Sequence, residues 1–467
     1  MLKPFHACLL ALLAGTALAT AMPASAGPDL VERGRYLASA GDCAACHTQA
    51  GKAPYSGGLA IASPLGAIYA TNITPSKSAG IGRYTLAQFS QALRAGQRAD
   101  GSHLYPAMPY TAYARLTDAD VAALYAYFMQ AVRADDTAAP ATRLPFPFNL
   151  RFSMALWNAL YLEDRPFTPV DGQSVEWNRG AYLVEGLGHC STCHTPRNVL
   201  MAEKAEQFLR GSSLGTWYAP DITQDRRQGI GGWDQQAIVD YLMTGHARNG
   251  ATAAGPMLEA IDKSFSAMTP QDVSAVATYL RSLPAGPHDT APLPPLPPLP
   301  LVAPAGNSDS AEMAGQSSSG EQLYRDNCAS CHQLNGAGKR GLPALLNHPL
   351  RHYPNADNVA LAILQGVWPE RGQGMPGFAD QLTDRQVADI SNYLVHDFAH
   401  GTARIDGARV TALRNGAAAG LLLPLARGGM LAGAALVLLL LLWRWQRRRW
   451  MINQAGASRL PSNGIVK

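Results

Sequence analysis

Cys43-x-x-Cys46-His47, Cys190-x-x-Cys193-His194 and Cys328-x-x-Cys331-His332 repeat one pattern three times in a chain of 467 residues. Two thiols one helical turn apart can add across the vinyl groups of a haem, and the histidine that follows is placed to ligate its iron. Six of the seven cysteines lie in these motifs, and histidine is rare, 12 of 467 residues. A zinc site would need two further ligands at local spacing, and a thiol–disulfide site would not need the histidine. Three covalently bound haem c groups are therefore expected, with His47, His194 and His332 as axial ligands.

The opposite face of each iron can be closed by methionine or histidine, or left open. Met108 lies in Tyr105-Pro106-Ala107-Met108-Pro109, seven residues after Gly101, and Met257 follows Gly255-Pro256, seven after Gly250. That register favours Met257 over Met268, which takes the core position of Leu116 and Leu382. Met375, followed by Pro376 and Gly377, is the only methionine between the third motif and the apolar run near the C-terminus. Proline stiffens the backbone beside each of the three, which suits a ligand strap better than core packing. Met108, Met257 and Met375 are the expected sixth ligands; His103, His246, His348 and His352 are the bis-histidine alternatives. Histidine–methionine ligation fills both axial positions and raises the reduction potential, leaving outer-sphere transfer of one electron per haem. No dinucleotide fingerprint, nucleophile or carboxylate pair is found, so no catalytic residue is assigned.

More than the motif repeats. Gly34-Arg35-Tyr36-Leu37, Gly180-Ala181-Tyr182-Leu183 and Gly320-Glu321-Gln322-Leu323-Tyr324 precede the three motifs as helical openings. Each repeat ends on an amphipathic stripe: Val121, Leu124, Tyr125, Phe128; Val273, Val276, Ala277, Leu280; Val387, Ile390, Ser391, Leu394. Thr117, Thr269 and Thr383 suit N-caps, with Asp120, Asp272 and Gln386 three residues on to complete capping boxes. The first two repeats alone share Asn72-Ile73-Thr74 with Asp221-Ile222-Thr223, and Gly80-Ile81-Gly82 with Gly229-Ile230-Gly231. Between repeats one and two, residues 141–172 carry much apolar surface (Phe146, Phe148, Phe152, Met154, Leu156, Trp157, Leu160, Tyr161), suited to cover a seam or to dock a partner. Residues 285–317 are rich in proline and then polar, an extended spacer.

Residues 1–26 read as a secretory signal: Lys3, an apolar run from Cys8 to Leu18, and a cleavage site ending at Ala26. Residues 428–445 read as one transmembrane helix, followed by Arg447, Arg448 and Arg449, with Arg444 at its end, which place residues 446–467 on the cytoplasmic side. The formal charge of +4 argues for no nucleic-acid partner.

The haem motifs, the run Leu104-Tyr105-Pro106-Ala107-Met108-Pro109-Tyr110, Leu116 to Val121 and the Gly-Ile-Gly pairs resemble the tri-haem cytochrome c subunit of bacterial membrane-bound dehydrogenases. That group includes quinoprotein alcohol dehydrogenase and the flavin-dependent gluconate, sorbitol and fructose dehydrogenases. The resemblance spans roughly residues 27 to 400. It implies an all-α fold class: three consecutive class I cytochrome c domains, at 27–140, 173–284 and 318–402, and one C-terminal transmembrane helix. It also implies a separate catalytic subunit, quinoprotein or flavoprotein, that oxidises a hydroxyl or aldehyde group. This chain then passes the electrons to ubiquinone in the bacterial inner membrane, its haem domains periplasmic. Leu342-Pro343 is similar to the loop whose proline carbonyl orients the ligating histidine in small c-type cytochromes. The tethered third domain is expected to deliver electrons at the membrane. An oxidase-linked cytochrome and an independent haem enzyme are the alternative functions.

Overall fold

The computed structural model describes residues 27–285, 319–338, 342–345, 353–416 and 422–457. The expected leader, most of the proline-rich spacer, His348, His352 and the last ten residues lie outside these. The first domain comprises α1 (Pro28–Ala40), α2 (Cys43–His47), β1 (Ala60–Ser63), β2 (Gly66–Tyr69), α3 (Leu86–Ala95), α4 (Tyr110–Tyr113) and α5 (Asp118–Gln130). Helix α6 (Ser153–Tyr161) lies in the connecting segment. The second domain repeats the scheme with α7 (Val175–Tyr182), α8 (Ser191–His194), β3 (Arg210–Leu214), β4 (Trp217–Asp221), α9 (Gln235–Thr244), α10 (Gly255–Lys263) and α11 (Pro270–Ser282). The third has α12 (Ser319–Asn327), α13 (Ala329–His332), α14 (Asp357–Gln365), α15 (Asp384–Tyr393) and α16 (Gly407–Arg414), and α17 (Leu422–Ala457) follows.

In each domain the opening helix crosses the closing one at a glycine. A Cβ on Gly34, Gly180 or Gly320 would lie 2.0, 1.9 or 2.4 Å from the main-chain oxygen of Ala123, Ala275 or Asp389. Only a residue without a side chain lets the two backbones approach so closely. The closing helices are capped as their sequences predict, Thr117, Thr269 and Thr383 each accepting from the N–H three residues on. Among the three closing helices the reciprocal capping box forms only at Thr383 and Gln386. Asp120 and Asp272 are engaged otherwise, each held by an arginine of its own domain (Arg33 Nε, 2.8 Å; Arg179 Nε, 2.8 Å).

Those two carboxylates also join the domains. Tyr36 of the first domain donates to Asp272 Oδ2 at 2.5 Å, and Tyr182 of the second donates to Asp120 Oδ2. The backbone N–H of Thr269 donates to the Tyr36 hydroxyl at 3.3 Å and that of Thr117 to Tyr182 at 3.5 Å. Equivalent residues swap partners, so the two domains are related by a pseudo-two-fold axis. Around it Leu37, Val121, Leu183 and Val273 belong to one shared core. The third domain has Gln322 and Gln386 at the matching positions and builds its own core from Leu361, Val387, Ile390 and Val410. Tyr36→Phe and Tyr182→Phe are each expected to cost about 1.5–3 kcal/mol, as loss of a hydrogen bond to a charged group does. Denaturant unfolding of the haem-loaded protein checks this.

Three expectations need correction. The fold is helix-rich but not all-α: β1–β2 and β3–β4 are antiparallel hairpins in domains one and two. They are four or five residues per strand, too short to stand out beside the helical stripes. The third domain's core runs past residue 402, because α16 buries Val410 and Leu413 and pairs Arg409 with Asp357 (2.7 Å) and Arg414 with Asp384 (2.8 Å). The domain is also docked, not hung free. Asn358 exchanges 2.8 Å hydrogen bonds with the Tyr218 backbone, and Glu370 pairs with Lys263.

Helix α6 has two faces. Trp157 is 8% exposed and packs with Tyr110 and Ala202, bridging the first two domains, while Phe152, Leu156 and Leu160 face outward. Helix α17 contains a 27-residue stretch, Pro424–Trp450, long and apolar enough to cross a membrane, with none of its most apolar window buried. At 1.5 Å per residue that is about 40 Å, against a hydrocarbon core near 30 Å. It exceeds the expected 428–445 because the flanking arginines continue the helix.

Candidate haem sites

The turn into the first two motifs is tight. Asp42 and His189, just before Cys43 and Cys190, take left-handed backbone conformations (φ 53° and 39°) that Asp and His tolerate better than most residues. One turn of helix then sets both thiols and the histidine on one side in each domain. The six motif cysteines are unpaired. Burial, first of all, pushes the Cys43 and Cys190 thiols up to about 12 and those of Cys46 and Cys328 up to about 11.

Each motif histidine has its Nδ1 committed to a backbone carbonyl: His47 to Thr71 O at 2.6 Å, His194 to Pro220 O at 2.7 Å and His332 to Pro343 O at 3.2 Å. A carbonyl can only accept, so Nδ1 carries the proton and Nε2 presents its lone pair, as an iron ligand requires. Burial lowers the pKa of all three rings, favouring the neutral form. The Pro343 carbonyl acts as the resemblance implied. Thr71 and Pro220 were not foreseen, yet a signal existed: each directly precedes the shared Asn72-Ile73-Thr74 or Asp221-Ile222-Thr223.

The structure explains that repeat. Asn72 Oδ1 accepts from Thr74 N at 2.8 Å and Asp221 Oδ1 from Thr223 N at 2.6 Å, closing matching turns. Ile81 N and Ile230 N donate back to Thr74 O and Thr223 O, both at 2.9 Å. A Cβ on Gly80 or Gly229 would lie 2.2 or 2.4 Å from those same carbonyls. The Gly-Ile-Gly loops therefore lock the ends of β2 and β4, from which the histidine-binding carbonyls project.

The methionine straps are pinned in the first two domains by equivalent bonds, Leu104 N to Gly96 O at 2.7 Å and Ala253 N to Gly245 O at 2.8 Å. Met108 and Met257 are half-buried against the shared core, whereas Met268 is 5% exposed within it. Met375 differs, sitting in a two-way bridge to Val367 (2.9 and 2.8 Å). His246 is exposed beside Thr252, while His103 is half-buried with Nδ1 unpartnered.

The first two motifs meet at the domain seam. Helix α10, which begins at Met257's strap, packs on α2, and the Tyr113 ring lies 5.6 Å from that of His189. Tyr113 donates to Gly41 O at 2.8 Å, and Ser264 of the second domain donates to Ala40 O at 3.1 Å. The second domain also reaches the third: Trp217 stacks against Gly255 in the Met257 strap and packs on the third core.

These residues fit haem c. The thiols are free and a turn apart, each imidazole keeps Nε2 available, and each domain supplies its own methionine. Among the described residues no group of three or more His, Cys, Asp or Glu side chains could hold a bare metal ion instead.

The cytochrome c family profile matches three stretches, residues 31–131, 178–284 and 317–396. The chain belongs to the cytochrome c family. Its domains bind haem c covalently. This cytochrome is 42% identical to the fructose dehydrogenase cytochrome subunit of Gluconobacter japonicus, over 91% of the chain and 93% of that protein. It is 37% identical to the cytochrome c subunit of the quinone alcohol dehydrogenase of Gluconacetobacter polyoxogenes, over 88% and 89%. A dihaem c-type cytochrome of Cereibacter sphaeroides matches at 36%, over 59% of the chain and 96% of that protein. Two haem domains alone thus make up a protein similar to part of this one.

Proposed function

We propose that this cytochrome is the electron-transfer and anchoring subunit of a membrane-bound dehydrogenase and is not itself catalytic toward the organic substrate. It carries three haems, ligated by His47 and Met108, His194 and Met257, and His332 and Met375. A quinoprotein or flavoprotein partner oxidises an alcohol, polyol, sugar acid or aldehyde, and this chain hands the electrons to ubiquinone. What supports the reading is one Cys-x-x-Cys-His motif with a carbonyl-held histidine built three times, with the second domain touching both others. Haem c held by these cysteines, histidines and methionines would supply one-electron exchange. The protein fixes each histidine tautomer through a carbonyl, holds the methionine strap and excludes water from the ring. Near-full-length likeness to dehydrogenase cytochrome subunits supports the partner.

Residues 1–26 act as a secretory leader, the haem domains face the periplasm, and α17 crosses the inner membrane with its arginines on the cytoplasmic side. A chain ending at residue 416 is expected to bind membranes much more weakly, with its haem spectrum intact. Its rate of quinone reduction falls by at least about tenfold, because the anchor no longer concentrates it at the bilayer. Fractionation and a quinone assay check both.

The direct test is haem reduction at the c-type absorption band in membranes with and without this chain, after ethanol, gluconate, sorbitol, fructose or an aldehyde. Rapid reduction by one of them, lost with the chain, is expected and names the dehydrogenase. Reduction by dithionite alone would overturn the reading and favour an oxidase-linked cytochrome.

A further inference from the structure

The outer face of α6 is apolar and has no partner among the described residues. Phe152, Leu156 and Leu160, at i, i+4 and i+8, are 73, 67 and 61% exposed. Nothing in Ser153–Tyr161 is charged. The neighbouring loop of the second domain adds Val199 and Leu200, 82 and 50% exposed, tied to α6 by a 2.9 Å bond from Trp157 Nε1 to Leu200 O. Soluble surfaces rarely gather this many large apolar side chains without a use for them.

The ridge is rigidly mounted beside two haem sites. Trp157 packs in one cluster with Met108 and Tyr110, and Tyr110 donates to Asn158 Oδ1 at 2.8 Å. Asn158 in turn donates to Ala95 O, and Tyr105 to Phe148 O, at 2.9 and 2.7 Å. Val199 and Leu200 follow His194 by five and six residues. Arg151, stacked on the Tyr105 ring at 4.4 Å, places a cationic group directly beside Phe152.

We propose that the stripe of Phe152, Leu156, Leu160, Val199 and Leu200 is a second membrane contact, inserted among lipid acyl chains. It would bring the Met108 strap and the loop after His194 to the bilayer, within reach of quinone dissolved there. The inference rests on the membrane-anchoring reading above. Three features select lipid as the occupant. The same chain carries a helix long and apolar enough to hold it at a bilayer. The stripe is a convex ridge of aromatic and aliphatic side chains, the composition of interfacial helices. Arg151, adjacent to Phe152, suits an anionic headgroup. The first two haems, not the third, then face the quinone pool.

Six of the seven cysteines lie in the haem motifs and Cys8 in the leader, so in the haem-loaded protein one added cysteine can be labelled selectively. Full-length haem-loaded protein in phospholipid nanodiscs, bearing a nitroxide at Leu156→Cys, is probed with oxygen and with a water-soluble nickel chelate. Leu436→Cys in α17 and Arg281→Cys on the second domain are the membrane and water references. The label at 156 is expected to favour oxygen, as at 436. A label at 156 that behaves like 281 while 436 is embedded would overturn the proposal. So would a 156 label that is aqueous alone and immobilised only when the catalytic subunit binds, which would make the stripe a protein-docking surface. If 436 itself were aqueous, the anchoring reading and this inference would fall together.

A second variant removes the ridge chemically. Phe152→Glu with Leu156→Glu and Leu160→Glu is expected to keep full haem content and to slow reduction of long-chain quinone in liposomes by about tenfold or more. Reduction of a short, water-soluble quinone should stay within about twofold. Equal loss with both quinones would mean the ridge acts through the fold, and the proposal would fail.

Discussion

A Met375→His variant is expected to keep all of its haem and to lose potential at one haem only. Replacing a thioether by an imidazole removes the ligand that favours ferrous iron, so the midpoint should fall by on the order of a tenth of a volt or more, within the roughly 0.8 V that axial ligands command. Spectroelectrochemical titration reads this directly, because the other two haems serve as internal references. The corresponding change at Met108 or Met257 should move a different single haem. Met257→Leu and Met268→Leu then separate the two methionines of the second domain. Met268 is in the core at 5% exposure, so its replacement should cost stability and leave all potentials in place. Potentials that moved with Met268 and not Met257 would refute the assignment.

The second large effect concerns glycine. Gly180→Val places a side chain where a Cβ alone would stand 1.9 Å from Ala275 O and 2.7 Å from the Tyr279 Cβ. The obstacle is the backbone of a buried helix, which cannot swing aside like a side chain. The two helices must separate, opening the core shared with the first domain, so the cost should exceed about 4 kcal/mol. Against a stability of roughly 5–15 kcal/mol, most of the variant should fail to accumulate as haem-loaded protein. Gly34→Val should behave alike, with 2.0 Å to Ala123 O. Gly232→Ala is the control: nothing lies within 4 Å of its Cβ position, and its stability should change by less than about 0.5 kcal/mol. Haem yield and denaturation midpoints decide the comparison.

The symmetry of the first two domains gives these sites a common frame. In the sequence Tyr36, Tyr182 and Tyr324 stand alike in the helical openings of the three repeats. In space the first two cross the seam to a carboxylate of the neighbouring domain, while Tyr324 donates to Gln333 O at 2.6 Å within its own. True register, counted from the crossing glycine, puts Gln322 opposite Tyr36 and Tyr182. The third domain cannot make the exchange, and it docks instead through α14 on β4.

What the linear chain determined is what covalent chemistry and helical period demand. Two thiols and an imidazole must be contiguous to hold one haem, so Cys43, Cys46 and His47 and their two repeats stand in five-residue words. The core stripes of α5, α11 and α15 recur with the period of a helix, and Thr117, Thr269 and Thr383 cap them because the orphan N–H groups lie three residues on. Residues distant in sequence were decided by the fold. The carbonyls of Thr71 and Pro220 reach His47 and His194 from 24 and 26 positions away, and any residue type offers a carbonyl, so the hairpin end alone selects them. The Tyr36–Asp272 bond joins residues 236 apart and exists only because two copies of one domain meet about an axis. The two faces of α6 likewise separate only once Trp157 finds Tyr110 and Leu200, since apolar residues surround that helix on every side in the sequence.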